Sequence, residues 1–317
     1  MLSAARRKRR APSIDARPST LGCNCGGLEN GFHALQSCRP GLIMRDSHSS
    51  SGSGCSILKR AAQDALLYSY RCVQRSGVLR TSLGRWLFLR AYWTYKSFWE
   101  PDMGYLRQCV PPASRIIDEG ANVGFFTYRF CGWVSGGGRV LAFEPAQENF
   151  EALLNMSRRF GHEEVLLARR ALLADADTTM YLALNADNPA DRRIGMSGVP
   201  TPAMRLDTVM GELGWPAVGL IKIDVQGAEC MVLGGAAQTI RRSRPALFIE
   251  VDDRALRRFG STAAELPQML LATGYQMHEA RAGALETPIH AARAASLMDR
   301  LGYADFVFLP EPLAPTR

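Results

Sequence analysis

From about residue 114 the chain alternates short apolar runs with amphipathic stretches. SRIIDE (114–119), RVLAFE (139–144), EVLLARRAL (164–172), GLIKID (219–224), PALFIEV (245–251), YQMHEA (275–280) and DFVFLP (305–310) have the length and content of strands. Between them, stretches such as QENFEALLNMSRRF and AECMVLGGAAQTIRR repeat apolar residues at helical spacing. This alternation predicts an α/β domain over 113–312, with a mostly parallel sheet covered on both faces. In such sheets ligands sit beyond the carboxyl ends of the strands, where the strand order reverses.

Before the alternation begins, residues 56–112 read as a helical segment. Its second half, TSLGRWLFLRAYWTYKSFWE, interleaves Trp86, Phe88, Tyr92, Trp93, Tyr95, Phe98 and Trp99 with Arg85, Arg90 and Lys96. The burial preference of aromatic side chains favours a helix packed on the core. The rival reading is a peripheral membrane or acceptor contact through residues 85–99. Residues 1–55 are rich in Ser, Gly, Arg and Pro, a composition that offsets too little ordering entropy, so a disordered basic tail is expected there.

Composition adds limits. The net charge is +8, yet residues 1–60 hold ten Lys/Arg against three acids, so the remainder is close to neutral and no nucleic-acid partner is expected. No stretch has the 18 or more uncharged apolar residues of a membrane-spanning helix, and no apolar core follows the basic start. Eight scattered cysteines without a second pair at zinc spacing read as free thiols, and the expected location is cytoplasmic. His162, His278 and His290 are dispersed, so no metal site is expected from His or Cys.

The chemistry collects at the strand ends. The first delivers Asp118 and Glu119 into the bend Gly120, Ala121, Asn122, Val123, Gly124. Glycines there permit a tight turn and close approach of a ligand, although such turns also exist only to pack a helix. Glu144 ends the second strand 26 residues after Asp118, suited to accepting from ribose hydroxyls. The bend lacks the bare amides a pyrophosphate requires, which favours a nucleoside without phosphates. In IKIDVQGAE, Lys222 and Asp224 share one face of a buried strand, about 6.5–7 Å apart. A buried lysine needs a partner. Glu229 follows in the first turn of a helix, where capping and chemistry are equally good explanations. Glu250 ends the neighbouring strand.

Taken together, IIDEGANVGFFT, VLAFEPAQENFEALLNM, MRLDTVM and IKIDVQGAECMVLGGAAQTIRRSRPALFIEV resemble, in order and spacing, the FkbM-type S-adenosylmethionine-dependent methyltransferases over roughly residues 100–310. The resemblance implies a class I, Rossmann-like fold of seven strands with the last antiparallel. It also implies that Asp118, Gly120, Asn122 and Gly124 hold the methionine part of S-adenosyl-L-methionine, that Glu144 holds its ribose, and that Asp175 lies near its adenine. Lys222, Asp224 and Glu229 match the family's second signature. Glu119 stands where members more often have a small or apolar residue, and Gln226 where Glu is frequent.

Methyl transfer needs in-line approach of an acceptor oxygen and removal of its proton. Asp224 is the candidate base or orienting group, with Glu250 and Glu229 in reserve and Lys222 holding Asp224 or Asp118 in place. The expected acceptor is a sugar, glycolipid or secondary metabolite. Two rivals remain open: a nicotinamide-dependent dehydrogenase or epimerase, which lacks GxGxxG and any evident Tyr-x-x-x-Lys, and an inactive nucleoside-binding interaction module.

Overall fold

The structure, a computed structural model, describes residues 81–99, 104–183, 193–195, 197–281, 284–301 and 303–311. The tail expected over 1–55 and the helical pattern over 56–80 lie outside the described residues. Twelve strands are found among those described: β1 (Arg115–Glu119), β2 (Arg139–Phe143), β3 (Leu166–Arg169), β4 (Leu172–Leu173), β5 (Thr178–Ala183), β6 (Arg193–Gly195), β7 (Val199–Met204), β8 (Val218–Ile223), β9 (Ala246–Asp252), β10 (Tyr275–Arg281), β11 (Ala284–Ile289) and β12 (Tyr303–Pro310).

Eight of them form one sheet in the order β11-β10-β12-β9-β8-β1-β2-β3. The pairs β1–β2, β2–β3, β1–β8 and β8–β9 are parallel, whereas β12 runs antiparallel to both β9 and β10. This is the class I methyltransferase architecture that the resemblance implied, with a correction to the count. Eight strands are present instead of seven, because β11 folds back on β10 as an antiparallel edge. The chain moves outward from β1 to β3, then returns to lay β8 on the other side of β1. The strand order therefore reverses at β1 and β8, and their carboxyl ends open the crevice.

Each face of the sheet carries its own core. Ile116, Val140, Ala142, Leu220 and Phe248 pack beneath the helices Phe125–Cys131 and Gln147–Phe160. Ile117, Leu141, Phe143, Ile221, Ile223 and Ile249 pack on the other face against Leu206, Val209, Val232 and Ile240. Fully burying one such side chain contributes about 1.5–3 kcal/mol, so these faces hold the strand tips in register. The helix Ser82–Trp99 joins the first face through Trp93, whose ring lies 5.7 Å from Phe125, 5.6 Å from Tyr128 and 6.3 Å from Phe160.

Two local differences from the expected elements have physical causes. The run 164–172 splits at Arg170–Ala171, and Leu172–Leu173 crosses into a second, four-stranded sheet of order β4-β7-β5-β6. The helix expected over AECMVLGGAAQTIRR breaks into Glu229–Gly235 and Ala237–Ser243, where the Gly235 backbone packs so closely on Ala174 that a Cβ would overlap its carbonyl oxygen. The second of those helices starts on MRLDTVM, whose buried Asp207 accepts from the amides of Gln238 and Thr239 at 2.9 and 2.8 Å.

Candidate functional site

The bend after β1 is bound to its neighbours atom by atom. Gly120 has φ +73°, and a Cβ there would overlap the carbonyl oxygen of Asp224 beyond β8. The amides of Gly120 and Ala121 donate to Phe143 O at 3.2 and 3.0 Å, and that of Gly124 to Ala121 O at 2.9 Å. The amide of Asn122, itself at φ +51°, donates to Glu144 Oε2 at 2.8 Å. The tips of β1, β2 and β8 thus meet in one place. These four amides of the bend are spent on protein acceptors, which leaves little of its backbone to receive a pyrophosphate.

Glu144 is 5% exposed and fixed from both sides. Its Oε1 accepts from the Ala146 amide at 2.9 Å and from Asn149 Nδ2 at 3.4 Å. A carboxylate offers about four lone-pair sites and three are engaged here, so a ribose diol accepted by both oxygens would displace the longest of these bonds, that from Asn149. Gly124, at φ +86°, has a different reason for being glycine. A Cβ there would stand 2.7 Å from Met156 Cε and 2.9 Å from Leu153 Cδ1, so its bareness lets the helix Gln147–Phe160 pack against the bend.

At the β8 tip, Lys222 is 1% exposed and stands between two carboxylates, 3.2 Å from Asp118 Oδ1 and 3.6 Å from Asp224 Oδ2. It also donates to the carbonyl oxygens of Glu119 and Gly120 at 3.3 and 3.2 Å. Burial alone would lower its pKa, but Asp118 and Asp224 outweigh that and hold it above the usual lysine value. Asp118 is placed inside the sheet, fully buried, with its second oxygen accepting from Thr127 Oγ1 at 2.6 Å. It faces Lys222 and Thr127 instead of the mouth of the cleft. Of the two aspartates, only Asp224 reaches solvent, with its side chain 26% exposed.

Glu229 is 2% exposed and accepts from the Gly227 amide at 2.9 Å. Burial, with Asp224's charge adding to it, raises its pKa to about 7. The intervening loop is tightly wound: Gln226 has φ +57°, Gly227 has φ +111°, and a Cβ on Gly227 would overlap the Ala255 carbonyl oxygen. Glu250 lies half-buried on β9, one residue beyond Ile249, which pairs with Ile223. It therefore belongs to the strand beside Asp224. Asp175 is exposed in the turn after β4, next to Gly234.

Two residues gain a place that the strand-tip pattern did not supply. Glu119, 1% exposed, accepts from the Leu173 amide at 2.9 Å and so ties β1 to β4, two residues before Asp175. Burial holds its pKa well above the usual carboxylate range. Lys96, on the inward side of Ser82–Trp99, lies 5.5 Å from the Phe126 ring centroid, and Lys222 lies 5.2 Å from the same ring. Nothing in the periodicity marks Lys96 out from the other cations of that helix. A depression of about 550 Å³ lined by Arg107, Tyr128, Arg129, Trp133 and His162 lies past the far end of the helix Phe125–Cys131, away from these tips. Among the described residues no group of three or more His, Cys, Asp or Glu could hold a metal ion.

Comparison with known proteins places the site in a family context. The family model described as "Methyltransferase FkbM domain" matches residues 118–277, just over half of the chain. The 31-O-demethyl-FK506 methyltransferase FkbM of Streptomyces tacrolimicus is 30% identical over 170 residues, covering 42% of this chain and 64% of that protein. The AMB antimetabolite synthetase AmbE of Pseudomonas aeruginosa is 24% identical over 210 residues, 53% of this chain but 10% of its own length. The chain thus spans less than two thirds of either relative. The crystal structure of methyltransferase FkbM from Methylobacillus flagellatus matches with a TM-score of 0.43 at 19% identity, over 63% of this chain and 44% of that one.

Proposed function

Because the chain belongs to the FkbM methyltransferase domain family, we propose that it transfers a methyl group from S-adenosylmethionine to a hydroxyl oxygen of a small-molecule or glycan acceptor, using the cleft between the tips of β1, β2 and β8. The observation that carries this reading is the convergence of two pairs of residues at the strand tips. The Gly120 backbone lies against Asp224, while the Asn122 amide grips Glu144. A nucleoside ligand needs such a pairing, with bare backbone for its chain and a carboxylate for its ribose. A pyrophosphate is the poorer fit to a bend in which the amides of Gly120, Ala121, Asn122 and Gly124 are already used, which weighs against a nicotinamide cofactor. Transfer to oxygen follows the name of the Streptomyces relative, which is a 31-O-demethyl-FK506 methyltransferase.

When bound, S-adenosylmethionine supplies a methyl group on a positively charged sulfur. Gly120, Asn122 and Gly124 would line its amino-acid part, Glu144 its ribose, and Asp175 the adenine end. Asp224 is the solvent-reaching carboxylate at the switch point, so it accepts a hydrogen bond from the acceptor hydroxyl and aligns its oxygen. Lys222 fixes that carboxylate and ties it to Asp118 across the two strands. Glu229 is buried behind the Asp224–Gly227 loop, where it holds the Gly227 amide, and so supports the loop that carries Asp224.

Incubation of the full chain and of Asp224→Asn with labelled cofactor and a panel of sugars, glycolipids and polyketides tests the reading. Label should enter an oxygen of one acceptor class. Asp224→Asn should keep its affinity for S-adenosylhomocysteine while its turnover falls roughly 10²–10⁴-fold. Undiminished turnover in that variant would move the acceptor-binding group elsewhere.

A further inference from the structure

The helix Ser82–Trp99 lies outside the residues matched by the family, and its two sides differ. The inward side is occupied: Trp93 packs on Phe125, Tyr128 and Phe160, and Lys96 reaches the Phe126 ring. The outward side carries Leu83, Trp86 and Leu87, at i, i+3 and i+4, with exposures of 65%, 40% and 53%. One turn on, Arg90 places its guanidinium 5.0 Å from the Trp86 ring centroid. Two leucines left in water beside a cation-capped tryptophan cost free energy unless something apolar receives them.

Charge narrows the choice of occupant. The helix contains Arg85, Arg90 and Lys96 and no acid. The 60 residues at the start of the chain add ten Lys/Arg against three acids. Nearby, Phe160 is 44% exposed under the Arg159 guanidinium at 5.8 Å. Leucines offer a nucleic acid no hydrogen bond, whereas a tryptophan with a cation over its ring face suits the boundary between acyl chains and headgroups. We infer that the outward face of Ser82–Trp99 docks on an anionic lipid bilayer, with Leu83, Trp86 and Leu87 inserted among the acyl chains and the basic residues on the headgroups. The inward side of the same helix packs on Phe125 and brings Lys96 to the Phe126 ring that Lys222 also meets, so docking would hold the cleft close to the membrane surface. This inference needs no methyl transfer and stands or falls apart from it.

The test is co-sedimentation of the full chain with vesicles of phosphatidylcholine alone or mixed with phosphatidylglycerol. Binding to the mixed vesicles should exceed binding to neutral ones by roughly tenfold or more and weaken with salt. The L83S/W86S/L87S variant should lose most of it with an unchanged unfolding temperature. Should that variant fold poorly, brominated lipid gives a second readout: it should quench wild-type fluorescence and quench W86F much less. Wild-type protein that ignores mixed vesicles would overturn the inference. So would full binding by the triple variant, equal quenching in W86F, or capture by a heparin or oligonucleotide matrix without capture by vesicles.

Discussion

Gly120 and Asp224 meet backbone to backbone: a side chain on the first would overlap the carbonyl oxygen of the second. This contact fixes the distance between the bend after β1 and the tip of β8, and it explains why residue 120 cannot carry a Cβ. Gly120→Ala should therefore cost about 3 kcal/mol or more, combining strain at φ +73° with an overlap against backbone that cannot yield. Gly124→Ala meets only the flexible ends of Met156 and Leu153, so it should cost less. Urea unfolding of both variants checks the order.

Lys222 and Asp118 form a buried pair, and such pairs are costly to break one partner at a time. Lys222→Met alone should destabilise by roughly 3–5 kcal/mol, because Asp118 would remain buried without its cation. The Lys222→Met/Asp118→Leu double variant should lose less than the sum of the two single losses. A double-mutant cycle in thermal unfolding measures the difference, and additivity would mean the two groups act independently.

Glu229 gives a pH dependence with a definite sign. Its folded pKa of about 7 lies above the ordinary 4.5, so the folded state holds the proton more tightly. The associated stability is complete below about pH 4.5 and is lost as pH rises through 7. The loss amounts to about 3 kcal/mol. Glu119 acts in the same direction. Unfolding free energies at pH 5 and pH 8 should therefore differ in the wild type, and the gap should shrink in Glu229→Gln, which keeps an acceptor for the Gly227 amide.

Glu119 tests what a fully buried acid does at the end of β1. Glu119→Gln retains an oxygen for the Leu173 amide and should unfold close to the wild type at pH 5. Glu119→Val removes that acceptor and leaves a buried amide unsatisfied, at a cost of about 1–3 kcal/mol. Chemical unfolding at that pH distinguishes them.

How far the sequence reaches is clear from individual elements. The strand tips were legible because buried parallel strands are apolar, so Lys222, Asp118 and Glu144 break the pattern where they occur. A cleft at the carboxyl ends of the strands follows from strand–helix alternation plus the general crevice rule, whereas the placing of the reversal at β1 and β8 comes from the pairing of strands distant in sequence. The second sheet was not legible. β7, VPTPAM, places prolines at 200 and 202, which speak against a strand, and they are tolerated because those positions pair with β5 alone, while β4 joins only at Ala203 and Met204. Nor was β11, whose run ALETPI carries a glutamate and a proline. Asp118 read as a ligand-facing acid, yet strand parity turns it toward Lys222, a distinction that depends on which neighbour lies alongside. Lys96 reaches the Phe126 ring through packing of Trp93, a tertiary contact that no local period encodes.

Calorimetric titration of the full chain and of Glu144→Ala with S-adenosylhomocysteine bears most directly on the cleft formed by the three strand tips. One micromolar site is expected in the wild type, at least tenfold weaker in the variant, a difference of about 1.4 kcal/mol or more. Absence of binding to the wild type, or equal affinity in Glu144→Ala, would contradict the assignment of this cleft to the methyl donor.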